Sequence, residues 1–282
     1  MKHFLLPILF ASLCVSCEIE HKTVTLNVAS YNLRMDTPAD SLLSWTHRKD
    51  DVRALIRFHN FDLVGTQEGF KHQLDDLCDS VRYAYTGHGR DDGKDAGEHS
   101  AIIYKKERFD ILRSGDFWLS PTPDQPGKGW DATCCNRVCS WAEFRDKLTK
   151  RTFYLFNVHF DHEGEVARRE SGYLMVRKMK EIAGDAPIVC TGDFNSTDDT
   201  EQVKTLSAYL NDTRQVSQVP PYGPSGTFNR RFHNPVGSRR IDYIFTSGTF
   251  SVLRYVVVSD NNGNNYPSDH LPVAVELRLG EK

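Results

Sequence analysis

Apolar residues recur along this chain with two different periods, and each change of period marks an element. Residues 24–32 place Val24, Leu26 and Val28 on one face, a strand whose phase carries Ser30 and Asn32 onto that face, with Asn32 at its end. From His47 to His59, Val52, Leu55, Ile56 and His59 fall at helical spacing, and Asp62 to Gly65 then reads as a short buried strand running into Gln67-Glu68. The β-branched and aromatic segment Arg151 to Phe160 sets Asn157 and His159 on one face and Tyr154, Phe156 and Val158 on the other. A long amphipathic helix is predicted over Glu165 to Ala183, with Val166, Tyr173, Leu174, Val176, Met179 and Ile182 as core contacts and Gly184 as its stop. Pro187 to Thr191 reads as a buried strand entering Gly192-Asp193-Phe194-Asn195, where period two puts Asp193 and Asn195 on the same side. Ile241 to Thr246 and Tyr255 to Val258 are strands, and the alternation Leu271, Val273, Val275, Leu277 follows directly on Ser268-Asp269-His270. Strands interleaved with helices, together with consecutive strands, predict an α/β layered sandwich with mixed sheets. No repeat, heptad run or linker divides it, so residues 18–282 are expected to form a single domain.

Composition leaves this picture intact. Of 282 residues, 39% are hydrophobic and 26% charged, which suits a globular chain with one large core. A net charge of −3 and a pI near 6.4 argue against tight non-specific binding to nucleic acid, leaving a local basic site open. Residues 1–17 differ from the rest: Lys2, an apolar run from Phe4 to Val15 interrupted by Pro7 and Ser12, then Ser16-Cys17. The run is too short to span a bilayer and has the layout of a secretory signal. Its small residues ending at a cysteine resemble the bacterial lipoprotein signal, with Leu13 one position further from Cys17 than usual and Cys14 in its place. That resemblance implies a lipidated Cys17, an exported location and an anchor in the lipid bilayer; simple secretion and an uncleaved anchor are the alternatives. The mature chain is expected to act as a monomer.

Beyond the leader stand Cys78, Cys134, Cys135, Cys139 and Cys190, an odd number without a C-x-x-C spacing. Neither a disulfide framework nor a zinc site is signalled. Cys190 reads as a buried thiol, and one disulfide among Cys134, Cys135 and Cys139, or from one of them to Cys78, stays open.

The polar residues that end apolar strands form one inventory: Asn32, Glu68, His159, Asp193, Asn195, Asp242, Asp269 and His270. Mg²⁺ takes oxygen ligands, often one or two protein carboxylates, with Mn²⁺ as the alternative ion. Glu68 is the first choice of ligand, with Asn32 and Asp269 beside it. A phosphate ester repels a nucleophile, so an ion is needed to neutralise its oxygens and a base to deprotonate water.

These residues resemble the endonuclease/exonuclease/phosphatase superfamily, in order, over about residues 24–278. The motifs are Ser30-Tyr31-Asn32-Leu33, Gln67-Glu68, Asn157-Val158-His159, Gly192-Asp193-Phe194-Asn195, Arg240-Ile241-Asp242-Tyr243-Ile244 and Ser268-Asp269-His270. The resemblance implies a four-layer α/β sandwich of two facing mixed β-sheets with the site at one edge. It implies that Glu68 binds the metal, with Asn32 near it on phosphate or water and Asp269 completing the metal environment. Asp193 would orient or deprotonate the attacking water, and Asn195 and His159 would hold phosphate oxygens. His270 would stabilise transition-state charge, its ring fixed by Asp242.

Other features carry less. Arg230, Arg231, Arg239 and Arg240 flank the loop before Asp242, and the first three are candidates for a substrate-binding anion rim, against the plain reading of a solvated surface. Gly87 to Ser100 lacks calcium-loop spacing and reads as a flexible connection that borders the cleft at most. The four tryptophans suit packing better than base stacking, and Tyr222 is a candidate for shaping substrate choice. The leading expectation is an exported phosphodiesterase or phosphatase acting on phospholipid, phosphorylated sugar or glycan, or nucleotide substrates. A secreted nuclease, with nucleic acid as substrate only, and a surface binding protein without chemistry are the competing readings.

Overall fold

The period-two segments become strands and the helical ones helices. The computed structural model describes residues 25–79, 81–230, 232–233, 237–263 and 265–280. Cys17 with the whole leader, Val24 and Arg231 lie outside the described residues. In chain order the elements are β1 (Thr25–Asn32), α1 (Trp45–Phe58), β2 (Leu63–Gln67), α2 (Lys71–Leu77), β3 (Tyr83–Thr86), β4 (Ile102–Lys105), β5 (Phe109–Trp118) and β6 (Val138–Asp146). There follow β7 (Thr152–His159), α3 (Glu165–Ala183), β8 (Ile188–Asp193), α4 (Glu201–Tyr209), β9 (Asn211–Asp212), α5 (Thr213–Val216), β10 (Asp242–Thr246), β11 (Phe250–Val257) and β12 (Val273–Leu279).

Two six-stranded sheets result, in the orders β11-β12-β1-β2-β4-β3 and β5-β6-β7-β8-β10-β9. β1 and β2 run parallel, as do β7 and β8, while their other pairings are antiparallel, so both sheets are mixed. Period two then sorts side chains into layers. Val28, Leu63 and Ile102 meet Phe144, Leu155, Val189 and Ile244 between the sheets. Ala29, Tyr31 and Val64 face the other way, onto Val52, Leu55 and Ile56 of α1 and Leu74 of α2. Phe156, Val158 and Cys190 back onto Leu174 and Met179 of α3 and Leu206 of α4. The order helices, sheet, sheet, helices is the expected four-layer sandwich.

The α3 boundaries agree with the sequence reading, and Gly184 ends the helix at a φ of 56°. Its buried face runs through Ala167, Ser171, Leu174, Met175, Met179 and Ala183. Tyr173 was expected in the core but is exposed, donating its hydroxyl to Glu201 of α4. The polar end of a tyrosine makes it the side chain that can leave this stripe for a carboxylate at the rim.

A buried polar clamp joins the sheets close to one edge. Asn157 of β7 donates to the carbonyls of Thr66 (2.7 Å) and Ala101 (3.0 Å), and its Oδ1 accepts from Gln67 (2.7 Å) and Thr191 (2.9 Å). All the hydrogen-bonding capacity of the amide is thus met inside the protein. Gly65 leaves room for it: a Cβ there would stand 2.0 Å from Thr191 Oγ1 and 2.5 Å from Asn157 Oδ1.

Candidate active site

Strand register brings the polar strand ends to one edge. Asn32 pairs with Gln67 at the ends of β1 and β2, while His159 pairs with Asp193 at the ends of β7 and β8, and Asp242 opens β10 opposite Asp193. Asn32 Nδ2 bridges the sheets, donating to Glu68 Oε1 and to Asp193 Oδ2 at 3.0 Å each. Arg34, Glu68 and Asn195 adopt φ values of 58°, 63° and 47°. Such left-handed backbone is costly for non-glycine residues and is held here where chain turns aim side chains into the cleft. Asn195 therefore reaches Asp193 through a turn and not by strand alternation, its backbone N–H donating to Asp193 Oδ1 at 2.9 Å.

A cleft of about 350 Å³ is lined by Glu68, His159, Asp193, Asn195, Asp269 and His270. Asn32 and Asp242 lie buried beneath it. His270 Nδ1 is 2.9 Å from Asp242 Oδ2, and its Nε2 lies 3.7 Å from Asp193 Oδ2. Burial opposes a charge on this ring, but Asp242 and Asp193 outweigh it and hold the pKa well above the ordinary histidine value. The ring is thereby held toward its cationic form, with Nε2 facing the cleft.

His159 is the opposite case. Burial first, then the neighbouring Arg137 and Arg90, push its pKa well below the ordinary value. Arg137 NH1 donates to its Nδ1 at 3.0 Å. A guanidinium only donates, so Nδ1 accepts and the single proton of the neutral ring sits on Nε2. That Nε2 is 3.1 Å from Asn195 Nδ2, which is itself oriented by donating to the Phe160 carbonyl at 3.0 Å. Two donors therefore face one spot, the arrangement that receives an acceptor such as an anionic oxygen.

The carboxylates crowd. Burial and then Asp242 raise Asp193 to about 7, against the pull of His270. Burial raises Asp269 to about 6, with His270 opposing and Glu68 adding to the rise. Glu68 stays below its ordinary range against the cost of its partial burial, because His270, the Asn32 amide and the Met35 N–H favour its charge. Asp269 Oδ1 is buried without a hydrogen-bond partner among the described residues. Ligand atoms of Glu68, His159 and Asp193 lie within 4.8 Å of one another. An unpaired carboxylate oxygen among clustered acidic side chains fits a divalent cation, with Glu68 and Asp269 as oxygen donors. Asn32, expected beside the metal, turns its NH₂ to the two carboxylates, and its Oδ1 accepts from Arg34 N at 2.9 Å. It thereby positions Glu68 and Asp193.

Several neighbours had no mark in the periodicity. Arg34 is held by Asp40 at 3.0 and 3.1 Å and lies 4.0 Å from Glu68. Arg90 pairs with Glu98 at 2.7 Å, so Gly87 to Ser100 is packed against the cleft and is no free connection. Arg137, besides holding His159, donates to His162 Nδ1 at 2.8 Å. It stands just before β6, which pairs with the strand ending in His159, a neighbourhood that only the fold reveals. Cys134 and Cys135 form a disulfide on the cleft wall, and Cys78, Cys139 and Cys190 are free. Arg230 and Tyr222 are exposed and do not line the cleft; Arg239 lines a neighbouring groove.

The model of the endonuclease/exonuclease/phosphatase family matches residues 29–270. The chain belongs to this family. A family member from Bacteroides thetaiotaomicron is 42% identical, with a TM-score of 0.87, covering 92% of this chain and 99% of its own. A mannosyl-6-phosphatase of the same bacterium is 44% identical over 89% of this chain and 99% of its own, with a TM-score of 0.85. The human Nocturnin catalytic domain, 19% identical over 90% of this chain and 94% of its own, shares the fold with a TM-score of 0.71. The family is metal-dependent, and the cleft carries acidic and histidine side chains that could bind a metal.

Proposed function

We propose that this endonuclease/exonuclease/phosphatase family chain is an exported, Mg²⁺-dependent phosphoric ester hydrolase acting on a phosphorylated sugar. The observation that carries the reading is the ring of donors around Asp193. His159 Nε2 and His270 Nε2 lie 3.5 and 3.7 Å from its Oδ2, and Asn195 Nδ2 lies beside His159. Those donors suit the oxygens of a tetrahedral phosphoryl group. Asp193, raised to about 7 and fixed by Asn32 and the Asn195 N–H, is suited to take the proton of an attacking water. His270 keeps its charge through its bond to Asp242 and neutralises an equatorial oxygen as negative charge gathers there. His159, neutral, donates without competing for that proton. A divalent ion bound at Glu68 and Asp269 supplies charge neutralisation at the phosphoryl oxygens. The phosphorylated-sugar class is supported by the 44% identical mannosyl-6-phosphatase, and export by the leader-like residues 1–17 with Cys17 as lipid anchor.

The test is phosphate release from mannose 6-phosphate by the purified protein with Mg²⁺. EDTA should abolish it, and His270→Ala should lower kcat by roughly 10²- to 10⁴-fold, the range for a lost acid–base or oxyanion group. Release that survives chelation, or full activity in His270→Ala, would contradict the reading. Degradation of plasmid or RNA without release from sugar phosphates would favour the nuclease.

A further inference from the structure

Beside the cleft lies a second cavity of about 440 Å³, and Asn195 lines both. Segment 239–241 divides them. Ile241 lines the cleft and Arg239 the groove, while Arg240 between them is buried, its guanidinium bound to Asp212 at 2.7 and 3.0 Å. The divide is therefore rigidly anchored from below. Glu165, Arg168 and Arg169 come from the first turns of α3, and Glu201 from the start of α4. The Arg239 guanidinium is exposed and has no ion-pair or hydrogen-bond partner among the described residues. Arg168 makes one bond, at 3.3 Å to the Asp161 carbonyl. The groove thus holds three guanidiniums with spare donors, two carboxylates, and no aromatic ring.

We propose that this groove is a subsite for the alcohol part of the substrate beyond the scissile phosphate, and that its ligand is a polyhydroxylated chain, the further units of a phosphorylated glycan. This rests on the phosphatase reading above. A molecule whose phosphate is held at Asn195 has the groove as its continuation. Hydroxyl groups both give and accept hydrogen bonds, so they satisfy guanidiniums and carboxylates together. A nucleic acid strand fits less well: its phosphates would meet Glu165 and Glu201 as well as the arginines, and none of the lining residues is aromatic, Tyr173 reaching the groove only through its hydroxyl on Glu201.

The experiment compares kcat/KM on mannose 6-phosphate and on mannotriose carrying the same terminal phosphate, for the wild type and Arg168→Ala/Arg169→Ala. The expected result is at least a tenfold fall in the trisaccharide-to-monosaccharide ratio in the double variant, with Arg239→Ala moving it in the same direction. An unchanged ratio overturns the subsite while leaving the phosphatase reading in place. If neither sugar phosphate is hydrolysed, the phosphatase reading falls, and calorimetry with unphosphorylated mannotriose then decides the groove. Binding weakened in the double variant supports it; no binding, or equal binding, overturns it. Cleavage of an oligonucleotide that depends on these arginines, with no preference for the longer glycan, also overturns it.

Discussion

Arg137 points two of its nitrogens at two imidazoles, those of His159 and His162. His159 is thereby fixed in one tautomer. With Arg137→Met one of the causes is gone, and the His159 ring should titrate at higher pH than in the wild type when followed by NMR, with burial and Arg90 still holding it below the ordinary histidine value. An unchanged titration would show that Arg137 does not set the ring's state. At this scale the cleft was largely legible in sequence, because Asn32, Glu68 and Asp193 stand where an apolar run stops and His270 where one begins. Arg90, Glu98 and Arg137 were not, because an arginine in a loop is ordinarily solvated surface. Only the meeting of separate segments buries Arg137, at 4% exposure, and gives it imidazoles to hold. The Cys134–Cys135 bond was open in sequence for the same kind of reason, since the cysteines themselves do not say which of them pair.

Elements deliver these groups only if the sheets meet at the right register, and the Gly65–Asn157 contact is where they touch. Gly65→Ala must displace Thr191 or Asn157, opening the clamp, and overpacking of this sort costs about 1–3 kcal/mol. Urea unfolding should show that loss as a lower midpoint with an unchanged slope. A midpoint equal to the wild type's would mean the clamp yields freely. The sequence placed β1, β2, β7, β8, β10 and α3 within a few residues, because each has a clean period. It named none of β3 to β6: β3 and β5 are edge strands set by pairing with β4 and β6, and β4 is placed by β2, with Leu63 opposite Tyr104. Tyr173 fell on the wrong side because periodicity treats it as apolar, whereas its hydroxyl chose Glu201.

The whole molecule carries the cost of a buried acidic site. Asp193 and Asp269 hold their protons to about 7 and about 6 in the native state, against 3.8 in the unfolded chain. Between those values the native state binds more protons than the unfolded one, so these groups make stability fall as pH rises from 3.8 through about 7, and flatten above. In chelator, Asp193→Asn should therefore melt above the wild type at pH 8, with the difference disappearing near pH 4; a difference that is constant across pH would rule out this source. Added cation should restore the wild type at high pH, since an ion bound to the native state stabilises it by mass action. The same electrostatics make cation binding the central claim. Its most direct measurement is Mn²⁺ binding to the metal-free protein by electron paramagnetic resonance. The wild type should bind one ion, and Glu68→Gln and Asp269→Asn should each weaken it by about tenfold or more. Undiminished binding in both variants, or none in the wild type, would contradict the account.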